Sequence, residues 1–241
     1  MPANRVVVAA SFLAVALILA PGLAEAADLA VGAKVGANWS LLSKPTDPAG
    51  EPTLLSGSAF DGVGFTGGAA VYYPLAELHG ATLEFESGLL FSRHSGEGFE
   101  ERTDTGEQRY VTLNATIARV PLLVHLRDGQ SVGGFRVGVG LEPMLGLQSG
   151  ATVEHRNSSA EPEPLETTPT THMGATIALG FDWPGGTDWS IPVDFRATWD
   201  PFVPDSTRDR FEGFESAEDT GEYQVGYNWQ LFVMTGFRYE L

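Results

Sequence analysis

Serine, histidine and carboxylate side chains are the groups in this sequence that could act as a nucleophile and its base. Ser92, His94 and Ser95 stand at the start of a long polar stretch, and His172 stands near the end of another. Acyl transfer needs a serine, a histidine and an acid that converge in space. No recognisable spacing joins these residues to a partner acid, and such serines and histidines are commonly solvated. We therefore predict no catalytic residue and no enzymatic activity.

The composition also argues against a metal site and against binding to nucleic acid. The chain has no cysteine and five scattered histidines, so it lacks thiolate ligands and any zinc-ligand spacing. Its acidic stretches show no calcium-loop spacing. With 14 Lys and Arg against 31 Asp and Glu in 241 residues, the net charge is −17, which repels nucleic-acid phosphates. The sequence predicts no metal site, no cofactor and no nucleic-acid partner.

A second set of charged residues alternates with apolar residues. Five are positive and six negative, so mutual pairing can offset the cost of burying them. We predict a charge network built from Lys34, Glu84, Glu86, Arg119, Arg136, Glu142, Asp194, Arg196 and Arg238, with Asp182 and Glu240 as further acids.

The segments that contain this network alternate between apolar residues and small or polar residues, with a period of two. From Leu29 to Leu41 the odd positions are apolar and the even positions are small or polar, as in a strand with two unlike faces. Eight such strands are predicted: Leu29–Leu41, Val63–Leu75, Ala81–Phe91, Arg109–Leu126, Phe135–Leu147, Met173–Trp183, Trp189–Trp199 and Tyr223–Leu241.

The strand Arg109–Leu126 departs from this period, because its apolar parity changes between Ile117 and Val120. A β-bulge near Ala118 or Arg119 would restore the alternation. The alternative is that two shorter segments meet there. We favour the bulge, since no turn signal separates the two halves.

Links between the strands alternate in length. Short ones lie near 76–80, 128–133 and 184–188, and long, acidic ones run near 42–62, 94–108, 148–170 and 200–222. This pattern is typical of an all-β, eight-stranded antiparallel up-and-down transmembrane β-barrel in an outer membrane, with short periplasmic turns and long extracellular loops. The acidic loops are predicted to keep the rim solvated and anionic.

The charged, glycine-rich face is predicted to line the lumen. A soluble lipocalin-like barrel would show the same period with its apolar face inside. Charge at the lipid midplane costs about 2–4 kcal/mol, and the large apolar face carries only Arg93 and Arg109, at strand ends. Two aromatic girdles are predicted on that face: Tyr73, Trp183, Trp189 and Tyr239 beside the short turns, and Trp39, Phe91, Trp199, Tyr223 and Tyr227 beside the long loops.

The first residues predict export. Arg5 precedes an apolar run from Val6 to Ala20, and a small-residue site ends at Ala26. We predict a cleavable signal peptide over residues 1–26 and a barrel domain over 27–241, because the run is shorter than a membrane-spanning helix.

Three motifs resemble known families. The C-terminal residues Gly236, Phe237, Tyr239 and Leu241 resemble the β-signal of bacterial outer-membrane proteins, although Leu241 stands where Phe or Trp is usual. The segments 31–40 and 119–123 are similar to the opening and fourth strands of PorT-like, porin-family outer-membrane β-barrel proteins, a group of small OmpA/OmpX-type layout. The resemblance implies a Gram-negative outer membrane and insertion by the barrel-assembly machinery.

The function predicted from these patterns is a non-enzymatic structural or interaction role. Outer-membrane lipid and lipopolysaccharide are the expected partners, and the protein is taken as a monomer. One alternative is a narrow porin-like channel for small solutes or ions. A second is a periplasmic lipocalin-like binding barrel.

Overall fold

The computed structural model describes residues 29–42, 55–57, 60–102, 108–128, 134–156, 161–165, 167–169, 171–200, 223–224 and 229–241. The predicted signal peptide, 1–26, lies outside the described residues, as do the acidic residues of the predicted fourth loop within 201–222. No helix in the described part of the chain is long and apolar enough to cross a membrane.

Every regular element of the described ranges is a β-strand. In chain order they are β1 Ala30–Leu42, β2 Leu55–Gly57, β3 Phe60–Leu78, β4 Ala81–Arg102, β5 Gln108–Arg119, β6 Leu122–Asp128, β7 Gly134–His155, β8 Glu163–Leu165, β9 Thr167–Thr168, β10 Thr171–Pro184, β11 Trp189–Trp199, β12 Tyr223–Gln224 and β13 Trp229–Glu240.

The long strands close into a barrel of eight. Each pairs antiparallel with its neighbour along the chain, β5 and β6 together forming one barrel strand between β4 and β7. Pairing of β7 with β10 and of β13 with β1 completes the ring. The predicted fold class, an eight-stranded antiparallel up-and-down barrel, is confirmed. We call the end where Leu78 pairs with Ala81 and Pro184 pairs with Ser190 the lower rim and the opposite end the upper rim.

The predicted β-bulge near Ala118 is wrong. Arg119 pairs with Leu90 and Leu122 with Ser87, so β5 and β6 follow β4 without an inserted residue. They are interrupted at Val120 and Pro121, as the two-segment alternative had it. The inserted residue is Leu147 on β7, which the pairing skips between Gly146 and Gln148. The apolar residues change parity because those on β5, such as Leu113 and Ile117, face the interior, whereas those on β6, such as Val124 and Leu126, face outward.

β4 and β7 extend furthest beyond their predicted ends. β4 continues to Arg102 and β7 to His155, through stretches that were expected to be loops. Residues 92–101 of β4 and 148–155 of β7 pair with β5, and Arg102 pairs with Leu55 on β2.

The barrel is apolar outside and polar inside. Lys34 is 3% exposed, whereas its neighbours Val31 and Val35 are 37% and 60% exposed. This is the predicted orientation and the reverse of a soluble binding barrel. Exposed aromatics ring both rims: Trp183, Trp189 and Tyr239 below, and Trp39, Phe91, Trp199 and Trp229 above. Of the remaining predicted girdle residues, Tyr73 is half-buried, the side chain of Tyr223 is not described, and Tyr227 lies outside the described residues.

Above the apolar belt the polarity reverses. We call residues 93–102, 108–116 and 148–155, with β2 and β8 at their edges, the upper sheet. Its inward side chains include Leu113 and Val153, which are 1% and 3% exposed, while Thr112 and Thr152 point outward. A sheet with one buried apolar face and one water-facing polar face has this arrangement.

Candidate functional site

Alternation along the strands places all nine predicted network residues inside the barrel. Lys34, Glu84, Glu86, Arg119, Arg136, Glu142, Asp194, Arg196 and Arg238 are each buried, and the most exposed of them is 4% accessible. Because each lies two residues from the next inward position of its strand, the charges stack in layers along the barrel axis.

The middle layer is a shared cluster centred on two carboxylates. Glu86 accepts from Lys34 at 2.9 Å and from Arg196 at 2.5 Å. Asp194 contacts Lys34 at 2.6 Å and Arg136 at 2.7 Å. These five residues come from four strands, β1, β4, β7 and β11, so the cluster ties separate walls of the barrel together. Shared charge-assisted bonds of this kind offset the desolvation of the buried ions.

The lower layer is centred on Arg238. Its guanidinium binds both oxygens of Glu84, at 2.9 and 2.5 Å, and donates from Nε to Glu240 at 3.0 Å. Arg127 adds a contact to Glu240 at 3.2 Å. Asp182 lies 3.1 Å from Arg136, which links this layer to the middle one.

The upper layer is one ion pair held by neutral groups. Arg119 donates from Nε and Nη2 to both oxygens of Glu142, at 2.9 and 3.0 Å. It also donates to the Gln230 amide oxygen, and its guanidinium lies 4.4 Å from the centroid of the Phe232 ring. Thr198 donates to Glu142 at 2.9 Å, so the carboxylate has several donors.

The structure adds two inward residues, Arg127 and His125, to the predicted network, and the buried Tyr72 packs against it. Arg127 supplies a sixth cation, which matches the six acids of the network. His125 Nε2 lies 3.0 Å from Glu86, and Tyr72 places its ring 4.4 Å from the Arg238 guanidinium. The signal was present in the sequence: the apolar residues Val120, Leu122, Val124 and Leu126 face outward, so the residues between them face the lumen.

Of the residues considered for catalysis, Ser92, His94 and His172 each contact a different residue. Ser92 contacts Thr66 at 2.7 Å, while His94 Nδ1 lies 2.5 Å from the Ser40 hydroxyl in a fully buried pair. His172 contacts Asp200 at 3.1 Å on other strands, and Ser95 lies on the outward face of β4. Within the described ranges, no group of three or more His, Cys, Asp or Glu is placed to hold a metal ion.

The predicted assembly signal lies on the closing strand. Phe237, Tyr239 and Leu241 point outward and are 46%, 40% and 67% exposed. Gly236 pairs with Lys34 across the seam, where an added Cβ would overlap the carbonyl oxygen of Ala33. The glycine therefore has a packing reason that is independent of any recognition by other proteins.

Comparisons with known proteins find fold likeness only. No family model and no curated protein sequence matches the chain. Among solved structures it is similar to Neisserial surface protein A (12% identity, 90% of this chain and 100% of that one, TM-score 0.38). It is also similar to the outer membrane protein OprG from Pseudomonas aeruginosa (9%, 90% and 96%, 0.40) and to Ail, the attachment invasion locus protein of Yersinia pestis (8%, 89% and 99%, 0.32). The finer resemblance to PorT-like proteins stays a prediction.

Proposed function

We propose that this protein is an outer-membrane β-barrel of a Gram-negative bacterium, with a closed lumen and a non-enzymatic structural or interaction role. The observation that carries the proposal is the filled interior. Arg136, Glu86 and Arg119 are each 0% exposed, so ion-paired side chains occupy the space that a solute would need. Eight strands enclose an interior that side chains can fill.

The outer-membrane assignment is supported by the barrel's two faces. A closed barrel satisfies every ladder hydrogen bond, and its apolar belt is flanked by aromatic rims, which fits a bilayer. The upper sheet then projects beyond the lipid on the side of the long, acidic links. Any contact with another cell, protein or glycolipid is proposed to occur on this projecting part, since the lumen has no accessible site within the described residues.

Location and orientation are tested with single cysteines, because the natural chain has none. Thr152→Cys lies on the exposed face of the upper sheet and Asp188→Cys on an exposed lower turn. In intact cells a membrane-impermeant maleimide should label Thr152→Cys, and it should label Asp188→Cys only after the outer membrane is permeabilised. The reverse pattern, or recovery of the protein with the inner membrane, would overturn the proposal.

The closed lumen is tested by planar-bilayer recording on the refolded wild-type chain. We expect no conductance steps. The narrow-channel alternative requires the shared carboxylate Glu86 to exchange partners among Lys34, Arg196 and His125. Steps in the wild type that change in Glu86→Gln would establish that alternative in place of the closed barrel.

A further inference from the structure

A charged side chain on the outer surface of the barrel has no role in the lumen. Arg93 is exposed on β4, between the inward residues Ser92 and His94. It lies directly opposite Phe65 on β3 and Thr116 on β5. Phe65 and Phe91, the residue two positions below it on β4, are 61% and 48% exposed and belong to the top of the apolar belt. On β4 a cation therefore stands where the apolar surface ends, whereas on the neighbouring β3 the apolar Val63, 74% exposed, lies one row higher.

The backbone of Arg93 is fixed by the strands behind it. The Asn38 side-chain amide donates to its carbonyl oxygen at 3.3 Å. Gly64 packs so closely on the same carbonyl that an added Cβ would overlap it. The position of the guanidinium at the lipid boundary is thus set by a paired strand and not by a loop.

Neutral hydrogen-bonding groups surround Arg93 on its upper side. Register places Thr116 and Gln148 beside it and Ser95 and Asn114 one row above. These side chains are exposed or half-exposed, and Gly150 next to Asn114 leaves open space. With strands about 4.8 Å apart and rows about 7 Å apart, the patch is roughly 10 Å wide, which suits a sugar unit.

Carboxylates limit the patch from above. Asp61 and Glu97 are exposed and lie opposite each other on β3 and β4, one row above Ser95. Along β4 the order of outward groups from the apolar belt upward is therefore aromatic Phe91, cationic Arg93, neutral Ser95 and anionic Glu97. A phosphate would be attracted to the lower part of this patch and repelled from its top, while sugar hydroxyls match the neutral row.

We propose that this patch, formed by Arg93, Ser95, Asn114, Thr116 and Gln148, binds the phosphorylated sugar headgroup of a lipopolysaccharide molecule beside the barrel. Arg93 pairs with the phosphate, and the hydroxyl and amide side chains bind the sugar. The proposal rests on the proposed function, because lipopolysaccharide occupies the outer leaflet of the outer membrane. Because Arg93 lies beside exposed apolar residues, its position favours a phosphate carried by a lipid at the bilayer surface over a soluble anion.

The test measures binding of purified short-core lipopolysaccharide to the full-length barrel refolded in phosphatidylcholine nanodiscs. Removing one charge-assisted contact in Arg93→Gln should weaken the dissociation constant by about tenfold. Arg156→Gln is the matched control, since Arg156 is an exposed arginine beyond the end of β7 that donates to Gln108 at 2.6 Å. It should bind as the wild type does. Arg93→Lys should keep most of the affinity.

Three results would overturn the proposal: wild-type affinity in Arg93→Gln, equal weakening in Arg93→Gln and Arg156→Gln, or full competition by inorganic phosphate. Dephosphorylated lipopolysaccharide should bind the wild type and Arg93→Gln equally weakly. These measurements use a refolded barrel, so their failure is separate from that of the cysteine-labelling test. If the cysteine variants are labelled as expected in cells but the refolded barrel does not bind lipopolysaccharide, the proposed function stands and the proposed binding site is wrong.

Discussion

Arg238 and Glu84 form a two-point ion pair across the lumen although 154 residues separate them in the chain. Arg238 lies on β13 and Glu84 on β4, and β1 and β3 stand between these strands in the sheet. The pair therefore joins walls that share no ladder hydrogen bonds. It can form only after β13 has closed the ring, so it stabilises the closed barrel specifically.

Breaking this pair from one side should be costly. In Glu84→Ala the Arg238 guanidinium keeps Glu240 but loses its bidentate partner, and we expect a loss of about 3–5 kcal/mol in the free energy of unfolding. Urea titration of the barrel in lipid vesicles measures this. The double variant Glu84→Met, Arg238→Met should recover much of the loss, because no unpaired charge remains. A single variant as stable as the wild type would contradict the ion-pair account.

The cost of removing a lumen cation should follow its burial and its partners. Arg136 is fully buried and lies within 3.1 Å of two carboxylates, Asp182 and Asp194. Arg127 lies near the lower rim and is 7% exposed. We expect Arg136→Met to destabilise the barrel by about 3–5 kcal/mol, because two buried carboxylates lose this partner, and Arg127→Met to destabilise it less, because Glu240 keeps its hydrogen bond from Arg238. The same urea titration compares them, and equal losses would show that position in the lumen does not matter.

Gly236→Ala should prevent normal closure of the seam between β1 and β13. Its Cβ would overlap the Ala33 carbonyl oxygen, so the strands must separate locally. Gly150→Ala is the control, because nothing lies within 4 Å of an added Cβ there. The readout is the heat-sensitive shift of folded barrel on a denaturing gel, after folding into vesicles without any assembly protein. Normal folding of Gly236→Ala in vesicles with failure only in cells would assign the glycine to recognition instead.

Much of the architecture could be predicted from the sequence, because apolar and polar residues alternate over most of the apolar belt. The inward position of Lys34 and the outward position of Val35 follow from parity alone. The extension of β4 to Arg102 could not be predicted, since its inward Gly96 and Gly98 give no contrast with outward polar neighbours. The inward positions of His125 and Arg127 also follow from parity, since they alternate with the outward Val124 and Leu126. The buried positions of Leu113 and Ile117 do not, because an apolar face is predicted to lie outside. The pairing of each lumen cation with a particular acid depends on the register between strands around the barrel. Alternation along a single strand gives no information on that register.

Polarity reversal in the upper sheet predicts opposite tolerances for adjacent residues. Leu113 is 1% exposed and faces the interior, whereas Thr112 faces outward between Glu97 and Thr152. Leu113→Asp buries an unpaired charge and should cost about 3–5 kcal/mol, while Thr112→Asp places a like charge opposite the exposed Glu97 and should cost no more than about 1 kcal/mol. Limited proteolysis of barrels in vesicles should cut the upper sheet of Leu113→Asp faster. Equal protection in the two variants would contradict the assigned faces.

Neighbouring strands achieve the reversal by different routes. On β7 the apolar residues stay at odd positions from Val137 to Val153, and the inserted Leu147 turns them from the lipid to the interior. β5 and β6 contain no inserted residue, so the same parity faces inward throughout. The apolar residues change instead, from odd positions on β5 to even positions on β6. Segments transplanted onto the two strands must therefore obey different rules. In a donor segment joined to β7 above Gln148, the apolar residues continue at the odd positions used lower on that strand. In a segment joined to β5, the apolar residues must move to the positions of opposite parity from those used on β6.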